Sequence, residues 1–191
     1  MLRRTVLIVA LANLGYGLVE FTVALRIGSV SLFADSVDFF EDTSINLLIF
    51  LALAWSLKMR ARLGMVLAGI LCVPAVAALW TGVEKFLNPV APDAFTLTIT
   101  GLGALVVNLS CAILLANYRS HSGSLTRAAF LSARNDAYAN LAIIAAGLVT
   151  ATLWHSAWPD LLVGVGVACL NADAAREVWQ AAREEHRAAE A

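Results

Sequence analysis

Apolar runs long enough to be helices, separated by short polar stretches, set the plan of this chain. The run from about Thr5 to Leu25 follows a basic start, Met1 to Arg4, and suffices for one crossing of a hydrocarbon layer about 30 Å thick. Arg26 to Ser29 reads as a brief turn, and a second helix is predicted from about Val30 to Leu57. Lys58, Arg60 and Arg62 make a basic loop before a third span, from about Leu63 to Val83, with Pro74 as a kink. Glu84 to Asp93, with two prolines, reads as the next turn. A fourth span runs from about Ala94 to Ala116, a polar linker from Asn117 to Ser124, and a fifth span from near Leu125 to about Leu153. His155 to Asp160 is a turn with Trp154 and Trp158 as interfacial anchors, and a shorter sixth span covers about Leu161 to Leu170. Beyond it, Ala, Glu and Arg recur with helical spacing, so the last helix is expected to run on into water. The fold class expected is an all-α membrane protein of six transmembrane helices. Residues 1–171 form the membrane domain and 172–191 a short cytoplasmic helical tail.

Composition supports a membrane protein: 60% of the 191 residues are hydrophobic and 14% charged, too apolar for a soluble domain of this size. The net charge of -1 says little, because the distribution of positive residues between loops sets orientation. Arg3, Arg4, Lys58, Arg60, Arg62, Arg119, Arg127, Arg176, Arg183 and Arg187 fall on one side of the six spans, against Arg26 and Lys85 on the other. Both termini are therefore expected in the cytoplasm, with Arg134 inside the fifth helix. Cys72, Cys111 and Cys169 lie far apart in apolar runs and read as small buried hydrophobes. The first run outlasts the core of a signal peptide and lacks a small-residue cleavage site, so it reads as a span.

The chemistry gathers in the second helix, where Asp35, Asp38, Glu41 and Asp42 fall within eight residues. Spacings of three and four put Asp35, Asp38 and Asp42 on one helix face. Each ionised Asp at the centre of a membrane helix costs about 2.5–3.5 kcal/mol on the insertion scale, so a cation or protons are expected there. Asn13 and Glu20 give the first helix a polar face, Asn46 follows Asp42, and Asn108 marks the fourth helix. Glu20 has a second reading, as an acid at the helix end near the interface. The fifth helix offers Asp136, with Ser132 one turn before it and Asn135 beside it. Set opposite Asp38 and Asp42, these groups complete an oxygen-rich cage. Carboxylates in close contact at low dielectric cannot all stay charged, so a cage without a cation holds protons, and metal binding displaces them. The competing reading pairs Arg134 with Asp136, Glu41 or Asp35 as a structural counter-ion.

These residues resemble those of the cation diffusion facilitators, which export divalent metals such as zinc, iron, cobalt, cadmium or manganese in exchange for protons. The resemblance covers almost the whole chain. It rests on Asn13 and Glu20, on the segment Gly28-Ser29-Val30-Ser31-Leu32-Phe33-Ala34-Asp35, and on Asn108-Leu109. The family's second-helix HxxxD or DxxxD motif aligns with Asp38 and Asp42. Its fifth-helix counterpart, after the segment Arg127-Ala128-Ala129-Phe130-Leu131, aligns with Ser132 and Asp136. The resemblance implies the cation efflux transmembrane domain and a metal site of Asp38, Asp42, Asp136 and Ser132. Ser132 departs from the family's His or Asp, which makes the site harder and favours manganese, iron(II) or magnesium over zinc. The family's C-terminal cytoplasmic metal-binding domain is expected to be absent, and a His-rich loop between the fourth and fifth helices is lacking.

The function expected is proton-coupled efflux of a divalent metal cation by alternating access. No cofactor is implied beyond the metal carried as substrate. The partners are that cation, protons, the membrane and, if dimerisation is retained, a second copy; no nucleic acid is indicated. A bacterial inner membrane is the expected location. The alternative is a non-transporting partner or sensor that keeps the fold around a degenerate metal site. An enzyme is not expected, since no nucleophile has a positioned base and no phosphate-binding loop occurs.

Overall fold

The computed structural model describes residues 2–52, 79–116 and 124–169. Among these residues the secondary structure is helical throughout: α1 (Leu2–Ile27), α2 (Val30–Ala52), α3 (79–87), α4 (Ala94–Ala116), α5 (Ser124–Thr152) and α6 (Trp158–Cys169). The fourth helix begins at Ala94, where the hydropathy pattern predicts. The third differs, running through Glu84 to residue 87 before the prolines end it. The sixth begins three residues earlier than predicted and takes Asp160 into its first turn. Most of the third span with Pro74, the end of the second helix, the 117–123 linker, Cys72 and the C-terminal tail lie outside the described residues.

Helices α1 and α2 pack along their length, as do α4 and α5, and α1 also meets α4 while α2 meets α5. The four thus close a bundle whose exterior is apolar. Leu11, Leu18 and Leu25 on α1 and Phe95, Ile99, Leu102, Val106, Leu109 and Ile113 on α4 are exposed, while Asn13, Glu20, Asp35, Asn46, Asn108 and Asn140 are buried. A water-soluble bundle has the reverse arrangement. α1 and α4 are long and apolar enough to cross a membrane, with mean hydropathies of 1.8 and 2.1. α2 differs because of its acids, which face inward to the other helices.

The α1–α2 hairpin is made by local chemistry. Gly28 has φ of 62°, and Ser29 N donates to Ala24 O at 3.2 Å, which together form the left-handed helix stop that glycine favours. Ser29 then caps α2, its Oγ accepting from Leu32 N at 3.2 Å. Phe21 stands edge-on to Phe33 and Phe40, and Tyr16 packs tilted against Phe39, so aromatic contacts line the seam between the two helices.

A second cap for α2 comes from far along the chain. The buried Asp160 carboxylate accepts from Val30 N at 2.9 Å and Ser31 N at 3.2 Å, and from the Ser29 and Ser31 hydroxyls at 2.6 Å each. Lys85 reaches the same carboxylate at 3.2 Å and also donates to Gly28 O. One acid of α6 therefore ties α3 and α6 to the start of α2, where the helix dipole favours negative charge. Gly164 makes the approach feasible, since a Cβ there would stand 2.7 Å from the backbone of Val30 and Ser31.

Removing one partner of a buried ion pair leaves an uncompensated charge. Lys85→Met is therefore expected to destabilise the protein by about 3–5 kcal/mol, and Lys85→Met with Asp160→Asn by less than the single change. Thermal unfolding in detergent, followed by circular dichroism, checks both. A double variant no more stable than Lys85→Met would show that the charge itself is not the cause.

Candidate metal centre

The antiparallel hairpin turns sequence spacing into levels across the bundle. Asn13 faces Asp42, its Nδ2 lying 3.5 Å from Asp42 Oδ2. From α5, Ser132 Oγ donates to Asp42 Oδ1 at 2.9 Å. From α4, the Cys111 thiol donates to Asn13 Oδ1 at 3.6 Å. The Asn46 amide closes the level by donating to the Asp42 backbone carbonyl at 2.8 Å. Three helices thus meet at one carboxylate, and α4 joins them through Asn13.

Nearer the hairpin turn, Asn108 Nδ2 donates to Asn140 Oδ1 at 2.9 Å, and Asn140 Nδ2 donates to Asp35 Oδ2 at 2.6 Å. Glu20 lies against Asp35 and is likewise fully buried. Between the two levels, Asp38 and Asp136 are electrostatic neighbours on facing helices. A cavity of about 710 Å³ opens beside them between α2, α5 and α6, lined by Asp38, Glu41, Ser132, Asn135, Asp136 and Gly166 among others. The result is a ladder of carboxylates along α2, with α5 contributing a side chain at every rung.

The structure brings together all four residues expected at the site. Asp42 and Ser132 share a hydrogen bond, while Asp38, Ser132 and Asp136 line one cavity. They are not drawn into a closed cage: among the described residues no three His, Cys, Asp or Glu side chains stand in an arrangement that would hold a metal ion. Ser132 and Asn13 occupy the Asp42 oxygens instead.

Two sequence readings are corrected. Glu20 is not an interfacial acid, since none of its surface is exposed. Arg134 is exposed and its Nη2 donates to Asn135 Oδ1 at 3.4 Å, so it turns away from the carboxylates rather than neutralising them. The ion pair among the described residues is Lys85–Asp160. Three polar positions carry more than the sequence reading gave them. Asn140 stands four residues beyond Asp136 on one helix face, a spacing that marks it as facing the bundle. Cys111 is one turn beyond Asn108, but an apolar run hides a thiol that contacts Asn13. Asp160 carries no such mark, because its partners lie about 130 residues away.

A search of curated proteins returns no match for this chain. The family model for the cation efflux transmembrane domain matches residues 6–184. That span takes in every carboxylate of the ladder together with the helices that hold them. An all-helical bundle with apolar outer faces, buried carboxylates and this family match describe an integral membrane protein whose family members are transporters rather than enzymes. The chain belongs to the cation efflux, or cation diffusion facilitator, family and is a cation transporter of that kind.

Proposed function

We propose that this protein carries a divalent metal cation across the membrane in exchange for protons, with Asp38, Asp42 and Asp136 as ligands and Ser132 at the fourth position. The observation that carries the reading is the Ser132–Asp42 hydrogen bond of 2.9 Å, which joins the α2 and α5 motifs beside the cavity that Asp38 and Asp136 line. Rotation of these side chains into the cavity surrounds an ion with oxygens alone. The ion releases Asp42 from Ser132 and Asn13, and the carboxylates exchange protons for metal. Emptied of metal, the same carboxylates take up protons, because several negative charges cannot stay together out of water.

Alternating access completes the cycle. Positive residues concentrate on the side of both termini, so that side is cytoplasmic, and the ladder runs from Asp42 outward to Asp35. Metal enters at the inner rungs, a rearrangement of the helices opens the site outward, and protons return. An all-oxygen site binds hard ions, so manganese, iron(II) or magnesium is preferred over zinc. The domain division stands within this proposal: 1–171 carries transport and 172–191 is a cytoplasmic tail. A bacterial inner membrane and a homodimer held by the membrane helices fit the same reading.

The test uses purified protein in sealed vesicles containing a pH-sensitive dye, challenged in turn with zinc, manganese, iron(II), cobalt and magnesium. Proton movement is expected with one or two of these ions, and Asp42→Ala or Asp136→Ala should reduce it to the level of empty vesicles. Unchanged flux in those variants, or silence of the folded wild type with every ion, would sink the reading. Restoring an imidazole with Ser132→His should raise zinc affinity relative to manganese about ten-fold, or about 1.4 kcal/mol. Competition binding measures that ratio, and an unchanged ratio would place residue 132 outside the ligand set.

A further inference from the structure

Seven residues separate Asn13 from Glu20 on α1, and seven separate Asp42 from Asp35 on α2, counted in opposite chain directions. Two turns therefore bring both helices to a new common level about 10 Å away. Both acids at that level are fully buried. Neither carboxylate oxygen of Glu20 has a hydrogen-bond partner, and Asp35 Oδ1 has none either. Asp35 Oδ2 alone is engaged, by Asn140, whose own oxygen is taken by Asn108. Among the described residues, no amide, hydroxyl or ammonium donor faces these three acceptor oxygens, whose carboxyl groups lie against each other.

A buried acceptor left in this condition is costly, and more so when charged. The described residues nearby offer no remedy. Lys85, the buried ammonium at this end of the bundle, is committed to Asp160 and Gly28 O, and Arg26 is exposed. Asn108 holds Asn140 so that its NH₂ group meets one Asp35 oxygen, leaving the other free beside Glu20. The arrangement keeps acceptors available instead of satisfying them.

We propose that Glu20 and Asp35 bind a divalent cation of their own, a second station for the transported ion two turns from the Asp42 level. This rests on the transport reading above and extends it. The donors are both Glu20 oxygens and Asp35 Oδ1, a hard set that suits manganese(II) or magnesium. Asp38 lies one turn from Asp35, so an ion leaving the Asp38–Asp136 rung meets a new carboxylate pair after a short step. Release from one deep site is slow if binding is tight, whereas a succession of sites lets the ion leave by stages.

The experiment counts ions bound to purified full-length protein by equilibrium dialysis, with Mn²⁺ and, separately, Zn²⁺. Two Mn²⁺ per chain are expected, falling to one in Glu20→Gln and to one in Asp42→Asn. Electron paramagnetic resonance of bound Mn²⁺ should show dipolar broadening in the wild type that Glu20→Gln removes. A single ion per chain in the wild type, lost in Asp42→Asn, would overturn the second station, leave the transport reading intact and make the pair a carboxyl–carboxylate bond sharing one proton. Two ions retained in folded Glu20→Gln would also overturn it. Neither ion binding to the wild type would overturn both readings. If Glu20→Gln does not fold, Asp35→Asn is counted in the same way, with the same outcomes deciding.

Discussion

The constraint on which this molecule depends is the cost of holding carboxylates inside an apolar bundle. Water is excluded from Glu20, Asp35 and Asp42, whose side chains are essentially unexposed. Part of the cost is offset by donors, each contributed by a helix other than the acid's own. Asn13 from α1 and Ser132 from α5 reach Asp42, and Asn140 from α5, set by Asn108 from α4, reaches Asp35. The polar groups that make the site costly are therefore also the ones that register four helices against one another. Apolar helix faces alone pack in many rotations and slides, because one Leu contact resembles the next. A buried carboxylate that must find a particular amide admits few of them.

Satisfaction is incomplete by the same design. Amides and hydroxyls supply partial charge, enough to orient a carboxylate and too little to neutralise it. Three oxygens of Glu20 and Asp35 remain without donors, and Asp38 and Asp136 face a cavity. A carrier needs this imbalance, since a site fully satisfied by its own protein has no reason to bind a cation. The Asp160 knot at the start of α2 shows the opposite case. Its carboxylate takes two backbone amides, two hydroxyls and an ammonium. One acid is saturated and holds helices together, while the others are left short of donors among the described residues.

Sequence spacing made much of this readable. The apolar runs marked the helices, and the start of the fourth was placed to the residue because Asp93, whose carboxylate accepts from Thr96 N at 2.8 Å, and its neighbouring prolines set a sharp boundary. The Asp35, Asp38, Asp42 face follows from helical period alone, as does the match of Ser132 with Asp136. Readings that depended on direction in space fared differently. Arg134 stands two residues from Ser132 and Asp136, and proximity in sequence suggested a counter-ion. On a helix, two residues is about 200° of rotation, which turns its side chain out of the bundle.

What the sequence determined by itself was local: where helices run, which residues share a face, and that one face carries too much charge for lipid. Those properties depend on neighbours within a few positions, so period and hydropathy suffice. Only the tertiary structure decided which polar groups meet. The pairing of Asn13 with Asp42 and of Glu20 with Asp35 follows from the sharp turn at Gly28 and the packing of the hairpin, and Asp160 reaches α2 only because Gly164 admits the close approach. Hydrogen bonds and ion pairs act over a few ångströms whatever the separation along the chain, so partners about 130 residues apart leave no joint mark in the order of the residues.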